Sequence, residues 1–134
     1  MIRLLEELSM NAIPSMETAE YDGWILRFSH GVTRRANSVN PLYSSTIDID
    51  EKIKFCEELY VQHKLPVYFK LTGVANPPDL DQILEHKGYR LDTQNSVQML
   101  SLREFKSSCS GSVRLSEKSE DDWLLRFMRF NGYE

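Results

Sequence analysis

The chain has 134 residues, 41% hydrophobic and 27% charged, with a formal net charge of −4. That length has room for one good core, and the acidic balance argues against nucleic acid as a partner, because phosphate binding draws on surplus Lys and Arg. No apolar run approaches the ~20 residues that span a bilayer, and Glu6 and Glu7 interrupt the opening where a secretory signal would be apolar.

Ile2, Leu5 and Leu8 repeat every three residues, which predicts a short amphipathic opening helix. It must stop by Ile13, since Pro14 disfavours helical geometry in the residue before it. Ser15–Asp22 is polar and acidic and reads as a loop leading to Gly23. Trp24–Phe28 alternates, with Trp24, Leu26 and Phe28 on one sheet face and Ile25 and Arg27 on the other. Ser29-His30-Gly31 then suits a hairpin, with Gly31 free to take positive φ, and the second arm closes on Asn37-Ser38-Val39-Asn40-Pro41. Pro41, Ser44 and Ser45 mark a second loop.

Asp48–Lys64 carries the clearest helical pattern. Asp48 and Glu51 have the spacing of a capping box, and Ile49, Ile53, Cys56 and Tyr60 form one buried stripe. Lys64 lies where the C-terminal dipole favours a cation. Leu65-Pro66 ends the helix and Val67–Leu71 reads as a half-buried strand. After a turn over Thr72–Pro78, Asp79 and Gln82 repeat the capping-box spacing, with Leu80, Ile83 and Leu84 facing inward. Gly88 stands at the helix end as a left-handed residue. Tyr89–Leu91 and Ser96–Leu102 read as two further strands. Ser107–Ser112 has linker composition, Val113–Leu115 reads as a strand stub, and a helix follows from about Ser119 to Asn131, capped by Asn131-Gly132. Trp123, Phe127 and Phe130 share one face of it. The pattern is that of an α/β (α+β) domain: a mixed, mainly antiparallel sheet flanked by helices, plus a C-terminal helix after a linker.

The motifs of common chemistries are absent. No two of the six glycines form a GxG pair, so neither a dinucleotide fingerprint nor a P-loop is present. His30, His63 and His86 fall in a turn and on two helices without HxH or HxxxH spacing, which argues against a metal site. Cys56 and Cys109 show no CxxC spacing and read as free thiols of a cytoplasmic protein. Arg27, Arg34 and Arg35 make a small basic cluster able to hold a carboxylate or phosphate, or to pair with acids such as Glu57, Glu58 or Asp50. Asn37 and Ser38 add compact donors and acceptors at a strand end, where turn capping is their ordinary role.

The run Ala12-Ile13-Pro14, Asp22-Gly23-Trp24 with Leu26-Arg27, then Gly31-x-Thr33-x-Arg35-Ala36-Asn37-Ser38-Val39 with Pro41-Leu42, resembles the N-terminal half of a branch of the GNAT acyltransferase superfamily. The likeness continues through Glu58-x-Tyr60, Pro66-x-x-Phe69-Lys70-Leu71 and Leu84-x-x-x-Gly88-Tyr89. Proteins of that branch carry two tandem GNAT-like lobes. The resemblance implies N-acetyl transfer from acetyl-CoA to an amine in the full-length protein.

An active lobe cradles the coenzyme diphosphate on amides of a glycine-rich loop at a helix N-terminus. Here that helix follows Ser44-Ser45-Thr46-Ile47-Asp48, which has no glycine and ends on an acid. The positions of the usual Tyr proton donor and of the Asn and Ala before it hold Leu84, Leu80 and Pro77. The resemblance therefore implies a degenerate lobe over residues 1–106, with no catalytic and no cofactor-binding residue. A linker (107–112) and the start of a catalytic lobe, or a packed helix, over 113–134 follow. Arg35, Asn37 and Ser38 are the candidate substrate-side residues, and Trp123, Phe127 and Phe130 the candidate interface. The missing catalytic lobe is the expected partner. A stand-alone small-molecule or peptide binding module, or an oligomerisation domain built on the C-terminal helix, are the alternatives.

Overall fold

The computed structural model describes residues 1–103, 116–118 and 120–132. They fall into two units, Met1–Gln94 and Asn95–Glu134. The first contains helix α1 (Ile2–Ala12), strands β1 (Glu17–Tyr21), β2 (Trp24–Phe28) and β3 (Val39–Pro41), and helices α2 (Ile49–Gln62) and α3 (Leu80–His86). The second contains α4 (Asp121–Phe130). Among the described residues no helix is long and apolar enough to cross a membrane. The expected α+β class stands.

The sheet runs β1-β2-β3 and is antiparallel throughout. Glu17–Tyr21 is thus a strand and not the loop its polarity suggested. As an edge strand it turns only Ala19 and Tyr21 toward the core, and its other side chains meet water. Its hairpin to β2 closes at Asp22-Gly23, both with positive φ (42° and 83°), the two-residue turn that matches the strand twist. The hairpin expected across Ser29–Gly31 is instead a longer connection, with a 3-10 turn over Arg34–Ala36 and pairing resumed only at Val39. His30 and Gly31 both take positive φ there.

Val67–Leu71 lies beside β3 but pairs only by one parallel bridge, Val39 to Phe69. Val39 N–H donates to Tyr68 O (2.8 Å) and Lys70 N–H donates to Val39 O (2.9 Å). The ladder stops because Pro41 has no N–H to extend it, and the Pro41 carbonyl accepts from Asn76 N–H instead. Tyr89–Leu91 and Ser96–Leu102 form no strand. Leu91, Val97, Met99, Leu100 and Leu102 are exposed, and alternation without a neighbouring strand leaves the ladder unmade.

The core joins Trp24, Leu26, Phe28 and Val39 of the sheet to Ile53, Cys56 and Tyr60 of α2 and to Leu80 and Leu84 of α3. The expected stripe of α2 is therefore the buried one. Asp48 caps α2 through Oδ1, whereas Asp79 makes no side-chain cap to α3. Gly88 closes α3 with φ +89°. Helix α1 ends where expected, but Ile2 and Leu8 are exposed. Helix α4 ends at Asn131 and Gly132 (φ +72°) as expected. The linker, the Val113–Leu115 stub and Cys109 lie outside the described residues.

Candidate functional site

Helix α2 begins beside the Asp22-Gly23 turn, and the two share a set of carboxylate contacts. Asp48 Oδ1 accepts from Asp50 N–H (2.9 Å) and Glu51 N–H (3.2 Å). Asp22 Oδ2 accepts from Thr46 N–H (2.8 Å) and Ile47 N–H (2.9 Å), and its Oδ1 from the Thr46 hydroxyl (3.1 Å). These bonds, Ile47's foremost, lower the Asp22 carboxyl to about 2. Four amides at and before the helix start are thereby occupied by the chain's own acids. Asp50 and Glu51 add two more carboxylates in the first turn. This arrangement does not fit a coenzyme diphosphate, which needs open amides and no competing anions.

Beneath that corner, Lys52 is fully buried, an outlier for an ammonium group. The only sequence signal for it is its place four residues before Cys56 on the inner stripe. Neither Lys52 nor Asp22 stands out as functional from residue type alone. Cys56 beside it is buried, and burial pushes its thiol up to about 12, so it is no nucleophile at neutral pH. Leu84, where the GNAT resemblance would put a proton donor, is only 4% exposed and is hydrocarbon in the core.

The basic cluster does not act as one. Arg27 lies on the sheet face away from α2, where Nη1 donates to Arg35 O (2.5 Å) and Nη2 to Met10 O (3.2 Å) and Ile13 O. It closes the end of α1, and burial lowers its pKa. Arg34 bonds Asp92 and lies over the Tyr68 ring (5.0 Å). The acids expected to serve these arginines are engaged elsewhere: Glu57 with Tyr89 (2.7 Å), Glu58 with Lys54 (3.9 Å) and Asp50 with Lys87 (2.8 Å). Arg35 is exposed.

Asn37 is buried and organises its loop. Its Oδ1 accepts from Ser29 N–H (2.6 Å) and Gly31 N–H (3.1 Å), while Nδ2 donates to Thr33 O (2.7 Å) and Ser29 O (3.4 Å). Ser38, also buried, accepts from Asn40 Nδ2 (3.3 Å). Two surface cavities flank the sheet, of about 260 and 350 Å³. Glu17, Phe28, His30 and His63 help to line the first, and Ile25 and Arg27 the second. Arg35, Asn37 and Ser38 line neither. Trp123 and Phe127 of α4 stack at 5.3 Å, and with Phe130 they are exposed. Among the described residues no group of three or more His, Cys, Asp or Glu is placed to hold a metal.

The chain is 30% identical over 138 aligned positions to a Bacillus subtilis (strain 168) protein named "Uncharacterized N-acetyltransferase YobR", covering 98% of this chain. It spans about half the length of that relative, 54%. No solved structure matches it. The family described as "Probable histone acetyltransferase Rv0428c C-terminal" matches residues 1–131. The chain belongs to that acetyltransferase-related family.

Proposed function

We propose that this chain is the non-catalytic N-terminal lobe of a cytoplasmic GNAT-type N-acetyltransferase. A second lobe of the same polypeptide then moves acetyl from acetyl-CoA to an amine. One observation carries the reading: the amides of Thr46, Ile47, Asp50 and Glu51, where a working lobe receives the coenzyme diphosphate, are filled by Asp22 and Asp48. A phosphate there meets like charge at close range and finds these four amides already taken. The hydrocarbon of Leu84 at the proton-donor position supports the same conclusion.

What remains for this lobe is mechanical: to support the active lobe and to form one wall of the acceptor cleft. Arg35 is the exposed side chain on that wall, Asn37 holds the loop that presents it, and Ser38 stands at the strand end beside it. The exposed Trp123, Phe127 and Phe130 of α4 support reading that helix as the opening of the second lobe. Calorimetric titration of residues 1–134 with acetyl-CoA is expected to show no binding, while the two-lobed polypeptide binds it and acetylates an amine. A micromolar site on residues 1–134 overturns the proposal.

A further inference from the structure

We infer that the outer face of α1 is the surface on which the second lobe docks, an inference that rests on the two-lobed reading above. Helix α1 is inside out. Arg3, Glu6, Glu7 and Met10 follow the three-and-four spacing of one helix face, and polar contacts tie that face to the rest of the fold. Arg3 Nε donates to Leu42 O (3.1 Å) and its guanidinium lies over the Tyr43 ring (5.2 Å). Glu7 accepts from the Tyr43 hydroxyl (2.7 Å), and Glu6, only 6% exposed, pairs with Lys70. The opposite face carries Met1, Leu4 and Leu8, which are 83%, 56% and 54% exposed.

A surface helix ordinarily turns its apolar stripe to the core. Rolling α1 to do so would break the bonds of Arg3, Glu6 and Glu7 and detach the helix end that Arg27 holds through Met10 O and Ile13 O. The hydrocarbon is therefore held in place toward water, which is the mark of an interaction surface.

Area and chain length together select the occupant. An eleven-residue helix is about 16 Å long and about 10 Å wide, so its outer face covers only a few hundred Å². Two free copies need roughly 800 Å² each for a stable interface. A lobe on the same polypeptide does not, because a tether supplies an effective concentration in the ~mM range. The Bacillus relative has the chain for such a lobe, since the match spans only 54% of it.

The test is thiol protection. Leu8→Cys is placed in a Cys109→Ser background, where Cys56 is silent because it is buried. Its maleimide labelling rate is measured in residues 1–134 and in the two-lobed polypeptide. The expected result is labelling at least tenfold slower in the two-lobed protein, with Glu85→Cys on the exposed side of α3 unchanged. Leu4→Cys serves as a second probe if Leu8→Cys fails to fold. Equal rates at both probes overturn the inference. So does protection that appears in residues 1–134 alone as concentration rises, which assigns the stripe to a second copy. An unsubstituted two-lobed protein without acetyltransferase activity sinks the enzyme reading instead, and protection of Leu8→Cys in it still supports docking.

Discussion

Lys52 Nζ lies 2.6 Å from the main-chain oxygen of Asp22 and 3.3 Å from its Oδ2, with the Trp24 ring centre 4.2 Å away. One buried cation thus fastens the first hairpin to α2 and to the centre of the core. Burial lowers its pKa and Asp22 partly restores it. Removing one member of such a pair leaves the other without its partner. Lys52→Ala is expected to cost about 3 kcal/mol, read as a lower urea midpoint.

The Asp22 carboxyl gives a second expectation. Its folded pKa, about 2, is below the ordinary 3.8. Its contribution to stability is therefore complete above 3.8 and is lost as pH falls through about 2. Urea midpoints measured across that window should fall less steeply in Asp22→Asn than in the parent. Equal slopes would show that the carboxylate is not linked to folding.

His63 works in the opposite direction. Its Nδ1 is 2.9 Å from Leu59 O and its Nε2 3.2 Å from Glu17 Oε2, and the ring stacks on Phe28 at 4.0 Å. Two oxygens facing two ring nitrogens favour the doubly protonated form, so the pKa is raised, first by Leu59 and then by Glu17. The stabilisation is fully present below the ordinary 6.5 and is lost as pH rises through the folded value. An NMR titration should place His63 above 6.5, and Glu17→Gln should move it down.

Two glycines with similar φ should respond differently to alanine. At Gly23 (φ +83°) a Cβ would stand 2.4 Å from Ser44 O and 2.7 Å from Tyr43 O, both backbone atoms. At Gly88 (φ +89°) it would meet nothing within 4 Å. Gly88→Ala should cost only the left-handed penalty of ~1–2 kcal/mol. Gly23→Ala adds a main-chain clash and should cost about 4 kcal/mol or more. Thermal melts of the pair check the difference.

Asn37 and Arg35 separate bracing from contact. Asn37→Ala breaks four hydrogen bonds around a buried loop and should lose roughly 2–3 kcal/mol. Arg35→Ala, on an exposed side chain, should change stability by less than about 0.5 kcal/mol. If Arg35 faces the acceptor cleft, its loss raises KM of the two-lobed enzyme while the melt stays put.

Legibility in the sequence follows the range over which each signal acts. Helix α2 could be read because its cap, Asp48, and its stripe of Ile53, Cys56 and Tyr60 are local features. Strand β1 could not, because an edge strand needs only Ala19 and Tyr21 turned inward and its other residues look like loop. The periodicity of α1 shows that a stripe exists, but which side faces the sheet is set by Lys70, Leu42 and Tyr43, far along the chain. At the candidate site, the missing glycines before Asp48 were visible. That Asp22 reaches Thr46 and Ile47 depends on a tertiary approach no local pattern encodes. The alternation over 96–102 predicted a strand where no neighbour takes it up.

The corner at Asp22 also constrains what this chain could become. The carboxylate that occupies the Thr46 and Ile47 amides is the one that compensates a sealed-in ammonium. Clearing the amides by substituting Asp22 would strand Lys52, and replacing both would reopen the seam between hairpin and helix. A nucleotide pocket at this corner would thus demand several coordinated changes, each harmful alone, which gives the present arrangement the character of a ratchet.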